Sequence, residues 1–256
     1  MEMRGTVLNL SLSQPERRNV LGSALLVELV TRLGEVATAP TVRAVVLSGD
    51  GTVFSAGHDL RELESCSPEE AGALFKCCAE LMLTIRDLPV PVIASVRGLA
   101  TAAGCQLVAA CDLAVAGERA RFQTPGGLIG LFCSSPAVPL VRAIGRKRAM
   151  EMLLLAEPID ANTAAAWGLV NHVVPEAELD LETDRLVAAI LRSSPDAIAR
   201  GKAAFYRQAD LDERAAYDVA TQAMVRDACS ADATEGMRAF LEKRPAVWGP
   251  RGAKRR

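Results

Sequence analysis

The sequence is poor in the residues that usually advertise chemistry. In 256 residues it has two histidines, two tryptophans, two tyrosines and six phenylalanines, and its seven cysteines include no Cys-x-x-Cys pair. So few histidines and such thiol spacings exclude a recognisable zinc cluster, and an odd cysteine count argues against a disulfide framework. Most of the cysteines read as small buried hydrophobes of a reducing compartment, with Cys77 and Cys78 pointing to different faces of one helix. Neither charge sign is in excess: 29 basic against 31 acidic residues give a formal net charge of -2. That balance removes any global attraction to nucleic acid or to an anionic membrane. Long hydrophobic runs are missing too, since stretches such as 90–96 and 107–116 contain Pro91 and Asp112 and fall short of the roughly 20 residues that span a bilayer. The opening Met1-Glu2-Met3-Arg4-Gly5 has no leader pattern, so a cytoplasmic location is expected, with neither nucleic acid nor membrane as partner.

What is present is a chain that is half hydrophobic, enough for one full core with an appendage. Short β-branched runs alternate with helical periods through the first part of the chain, the pattern of ββα or βα units stacking parallel strands. Strands are expected over 6–12, 42–48, 91–96 and 112–116, with a further short one opening the segment 53–60 before it becomes a loop. Helices are expected from Leu25 to about Glu35, over 68–85, and from the small-residue run 100–106 onward through Leu107 and Val108. From Ser134 onward helical periods dominate: 137–144, 147–155, 161–167, 179–191, 195–208, 212–228 and 233–243. The basic end from Arg251 to Arg256 reads as a solvated tail. A division into a sheet-rich core, residues 1–200, and a helical region, residues 201–256, follows.

Two segments put glycine and alanine where a backbone must approach something closely. They are Ser55-Ala56-Gly57-His58-Asp59-Leu60, leaving one strand, and Leu99-Ala100-Thr101-Ala102-Ala103-Gly104, following another. Each alone is ordinary turn packing. Together, in register with Pro15–Leu21, Phe122–Gly130, the Glu157–Val174 stretch and the closing Glu235–Arg244, they resemble the crotonase, or enoyl-CoA hydratase/isomerase, superfamily. The strings at Phe54–Leu60, Gly98–Leu107 and Gly130–Ser134 point to one branch within it.

The resemblance implies an α/β fold, a spiral of ββα units with a C-terminal helical trimerisation region, assembling as a homotrimer or a dimer of trimers. It implies an acyl-CoA thioester as ligand, no separate cofactor beyond the coenzyme A of the substrate, and no metal. The backbone N–H groups of His58 and Ala103 would form an oxyanion hole for the thioester oxygen, and the nucleotide would lie along Arg18, Val20, Ala56, Asp59 and Leu60, with Arg18 toward a phosphate.

The chain departs from the family's hydratases at two places. Their two glutamates correspond to Gln106 and Gly126, and neither glutamine nor glycine exchanges a proton at neutral pH. A third acidic position used by some members is Ser134. Three features stand as replacements: the thiol of Cys133, the imidazole of His58, and a small anion in space left by Gly126, as in one branch of the family. The resulting expectation is an enzyme that stabilises a thioester enolate. A decarboxylase-like or anion-assisted reaction and a non-catalytic acyl-CoA binder are the alternatives.

Overall fold

The computed structural model of the chain describes residues 1–253. Its strands are β1 (Glu2–Arg4), β2 (Val7–Leu12), β3 (Ala44–Gly49), β4 (Val53–Ser55), β5 (Val92–Val96), β6 (Leu99–Thr101), β7 (Leu113–Gly117), β8 (Arg121–Gln123), β9 (Ile159–Asp160) and β10 (His172–Val174). The first helices are α1 (Ser23–Thr38), α2 (Leu60–Ser65), α3 (Pro68–Asp87), α4 (Ala103–Ala110) and α5 (Ser134–Leu155). They are followed by α6 (Ala161–Trp167), α7 (Leu179–Leu191), α8 (Pro195–Gln208), α9 (Glu213–Ala228) and α10 (Ala231–Leu241).

The strands form a six-stranded sheet in the order β1-β2-β3-β5-β7-β10 and a four-stranded one in the order β4-β6-β8-β9. Each of the pairs β3/β4, β5/β6 and β7/β8 sends its first strand to the larger sheet and its second to the smaller, which is the repeating unit of a spiral. The turn inside the second pair needs Gly98 at φ 69, because a Cβ there would stand 2.7 Å from the carbonyl carbon of Thr52. Along β3, Val45 and Leu47 join the main core under α1 and α3, while Ala44 and Val46 pack with Ile93 and Val187 of α7 on the opposite face. Burial of both faces explains why β3 and β5 read as continuous apolar runs instead of alternating ones.

The helix ends follow their local chemistry. Ser67 Oγ accepts from Glu70 N (3.2 Å) while Glu70 Oε2 accepts from Ser67 N (2.7 Å), a capping box that starts α3 with Pro68 at its first position. The two helices expected at 137–144 and 147–155 are the limbs of α5, kinked at Gly145 (φ 77, ψ 164). Cys78 is buried and Cys77 only partly so, as successive helix positions require.

Two expectations are corrected, and one boundary is found to lie inside a helix. Leu99–Thr101 is a strand of the second sheet, because it pairs in parallel with Arg121–Gln123. The division at residue 200 falls inside α8, one continuous helix that the core and the helical region share. Arg251 is not a solvated end: its guanidinium donates to the carbonyls of Val36 (3.1 Å) and Ala39 (2.8 Å), supplying a partner to the unpaired C-terminal turn of α1. The rest of that basic tail, Lys254 to Arg256, lies outside the described residues.

Candidate active site

The site begins with a buried asparagine. Asn19 has no solvent exposure, and its amide is fully used: Oδ1 accepts from Gln14 N (2.9 Å), and Nδ2 donates to the carbonyls of Asp50 (2.9 Å) and Val53 (2.8 Å). Arg18 and Asn19 both have positive φ (56 and 52), so the chain turns sharply there and runs alongside residues 55–58. Ala56 N donates to Arg18 O (2.9 Å), Ser55 Oγ to Asn19 O (2.8 Å) and Leu21 N to Gly57 O (2.7 Å). The entry loop thus holds the first glycine-bearing segment in place.

The second segment lies directly against the first. A Cβ on Gly57 would stand 2.9 Å from Ala102 Cβ and 3.0 Å from Ala103 N, and one on Gly104 would stand 2.8 Å from Ser55 Cβ. Glycine is required at both positions by this approach of two backbones. Ala103 is the first residue of α4, where helical N–H groups have no intrahelical acceptor. Among the described residues neither His58 N nor Ala103 N has a hydrogen-bond acceptor. Between them, Ala102 takes φ 50 and ψ -118, a region costing an L-residue about 1–3 kcal/mol, and is held by bonds from its own N to Gln123 O and from Gln106 N to its carbonyl.

The His58 ring lies with Nδ1 3.2 Å from Leu21 O and edge-on to Phe75, centroids 5.3 Å apart. A carbonyl only accepts, so Nδ1 carries the proton and Nε2 the lone pair. Burial lowers the pKa of His58, outweighing the Leu21 bond and the charge of Glu62, and the ring is neutral at pH 7.

Gln106, buried on α4, has Oε1 3.9 Å from the thiol of Cys78. Gly126 sits in a 3-10 turn and leaves no void: a Cβ there would overlap the Leu131 carbonyl oxygen and stand 2.8 Å from Cys133 Sγ. The expected room for a small anion is therefore filled by this chain's own backbone and thiol. Cys133 accepts from Gly126 N (3.3 Å), and burial raises its pKa, so it is a packed acceptor and not a thiolate nucleophile. Ser134 is exposed at the start of α5.

On the outer edge, Arg17 pairs with Asp59, whose Oδ1 also accepts from Arg61 N (3.2 Å) to cap α2. Asp59 is thus committed to protein partners, as is the N–H of Ala56. The Arg18 side chain is exposed and has no partner among the described residues; Val20 is partly buried, and the Leu60 side chain is exposed.

Two features escaped the sequence. A cavity of about 730 Å³ lies between α3, α4, α5 and α8, with Gln106 in its lining. Beside it Asp112, at the start of β7, accepts from Val92 N (2.7 Å), Lys202 Nζ (2.6 Å) and Tyr206 Oη (2.9 Å), fastening α8 to the core. A lysine four residues before a tyrosine on an amphipathic helix is the faint signal that was available.

Two sheets fed by alternate strands of successive pairs, with helices packed against them, define the crotonase fold. The chain belongs to the enoyl-CoA hydratase/isomerase family, whose model matches residues 2–251. It is similar to the mouse protein named enoyl-CoA hydratase domain-containing protein 3, mitochondrial: 47% identity over 243 residues, 94% of this chain and 81% of that one. The crystal structure of the human protein of that name superposes with a TM-score of 0.94 at 46% identity, covering 96% of this chain and 98% of the other. An enoyl-CoA hydratase structure from Mycobacterium smegmatis gives 0.93 at 47%, covering 95% of each chain. The branch indicated by the three short strings is thus upheld. The cytoplasmic location is not, because the vertebrate relatives are named as mitochondrial proteins. That expectation rested on composition and the first few residues, which do not encode a compartment.

Proposed function

We propose that the protein binds an acyl-CoA thioester and stabilises an enolate-like species, with the N–H groups of His58 and Ala103 as the oxyanion hole. The observation that carries this reading is the pair of acceptor-free N–H groups held together where Gly57 and Gly104 let two backbones meet. Negative charge moves onto the thioester oxygen when the α-carbon loses a proton or a carboxyl group. A preorganised donor in a water-poor site is worth about 3 kcal/mol against that charge, and the N-terminus of α4 adds its positive end.

The coenzyme A portion lies along Arg18, Val20, Ala56, Asp59 and Leu60. Arg18, exposed and unpartnered, meets a phosphate, while Asp59 shapes the edge through Arg17 and α2. The acyl chain enters the cavity beyond Gln106. Exposed Phe205, Tyr217, Met224 and Phe240 on α8 to α10 support burial of the helical region in a homotrimer or a dimer of trimers.

Hydration by two carboxylates lacks its acid and base here, since the Gln106 amide does not titrate near neutral pH and Gly126 is back-filled. Loss of carbon dioxide from a carboxylated acyl group is a second reading favoured by the same facts. There the C–C bond breaks, its electron pair enters the enolate, and no base is needed to form it. A protein that only binds acyl-CoA is the non-catalytic rival. Incubation in deuterated water with a saturated acyl-CoA and with an α-carboxylated one separates them: α-proton exchange on the first supports deprotonation to an enolate, release of carbon dioxide from the second supports decarboxylation, and tight binding with neither supports the binder.

A further inference from the structure

Three helices that line the large cavity also carry residues beside the site. On α3, Phe75 touches His58 and Cys78 meets Gln106, and Arg86 follows eight residues later, about 12 Å further along the helix. On α5, Arg142 lies nine residues beyond the helix cap Cys133, about 13 Å away. On α4, Ala109 and Ala110 continue past Gln106. The cavity lining includes Met82, Ala109, Val138 and Phe205 together with Gln106 and the half-exposed Arg86 and Arg142.

Two guanidiniums in the lining of such a cavity are an unusual wall for a plain alkyl chain. Among the described residues Arg86 donates a hydrogen bond only from Nε, to Asp87 (2.9 Å), and Arg142 only from Nη1, to Val138 O (2.9 Å). Asp210, in the turn after α8, stands by both. Its Oδ2 is 3.7 Å from Arg142 Nε, beyond hydrogen-bond range, and it helps hold Arg86 protonated, after the stronger effect of Asp87. The protein already places one carboxylate near this arginine pair, loosely and at an exposed position.

We infer that the cavity recognises an acyl chain ending in a carboxylate, which takes the place of Asp210 between Arg86 and Arg142. A free carboxylate accepts from the uncommitted guanidinium nitrogens in charge-assisted bonds that Asp210 does not reach. The spacing from Gln106 sets the chain as medium in length. The inference rests on the acyl-CoA reading above, since it assigns the distal end of the same ligand.

The test is calorimetric titration of the full chain with octanoyl-CoA and with suberyl-CoA, which has the same chain length and a terminal carboxylate. The protein should bind suberyl-CoA roughly tenfold more tightly. In the Arg86→Gln/Arg142→Gln double variant the two affinities should converge, with octanoyl-CoA bound as before, which also reports an intact fold. Binding of octanoyl-CoA with no preference for suberyl-CoA, or a preference that survives the double substitution, overturns the inference alone. Binding of neither overturns the acyl-CoA reading and this inference with it.

Discussion

The carbonyl oxygen of Leu131 occupies the place where a side chain on Gly126 would begin. A Cβ at Gly126 would overlap that oxygen and stand 2.8 Å from Cys133 Sγ, so the loop from 126 to 133 has closed over the position. Gly126→Glu should therefore destabilise the protein by about 1–3 kcal/mol, as overpacking does, instead of restoring hydratase chemistry. Denaturant unfolding and a crotonyl-CoA hydration assay of Gln106→Glu/Gly126→Glu check both halves. A stable, hydrating double variant would show that the loop yields.

Ala102 occupies a conformation suited to glycine (φ 50, ψ -118). Ala102→Gly should raise stability by up to about 1 kcal/mol, visible as a higher denaturant midpoint with unchanged slope. Gly104→Ala acts in the opposite sense, because its Cβ would stand 2.8 Å from Ser55 Cβ and force the two segments apart. Acyl-CoA affinity should fall by more than tenfold, since both donors sit on the displaced backbones.

Asn19 satisfies three backbone groups from inside the entry loop. Asn19→Ala leaves those groups unpaired and should cost about 2–3 kcal/mol of stability. Proteolysis should then strike first between Gln14 and Leu21.

Asp112 neutralises Lys202 in a nearly buried pair, with side-chain exposures of 15% and 7%. Asp112→Ala strands that ammonium and should cost about 3 kcal/mol, whereas Lys202→Met/Asp112→Leu should recover much of the loss. Equilibrium unfolding of the single and double variants measures the difference.

Burial depresses the pKa of His58 in the folded protein. Below the ordinary histidine value of about 6.5 the unfolded chain takes up a proton at this residue that the folded protein resists, so stability should fall as pH drops through that range. His58→Gln should flatten that limb of the stability profile while leaving the profile above pH 7 unchanged in slope.

Much of the architecture was legible because its signals are local. The helices at 161–167, 179–191 and 195–208 are set by Asp160 and Ser194 caps, a Pro195 start and apolar periodicity, and they form where the pattern places them. The smaller sheet was not legible: β6, β8 and β9 span only two or three residues, and what makes them strands is pairing across 20 or more positions. At the site, the segments holding Gly57 and Gly104 could be singled out because close backbone approach demands small residues, and His58 and Ala103 followed from the resemblance to the family. The closure over Gly126, the engagement of Asp59 by Arg17, and the Asp112–Lys202 lock depend on contacts between distant segments that no local pattern encodes.

The central claim is that two backbone N–H groups polarise a thioester carbonyl. Difference infrared spectroscopy of an acyl-CoA carrying carbon-13 at the thioester carbonyl reads this directly in the bound complex. The carbonyl stretch should move to lower frequency on binding, and the shift should shrink in Gly104→Ala at saturating ligand. A bound carbonyl that vibrates at its solution frequency would contradict the account.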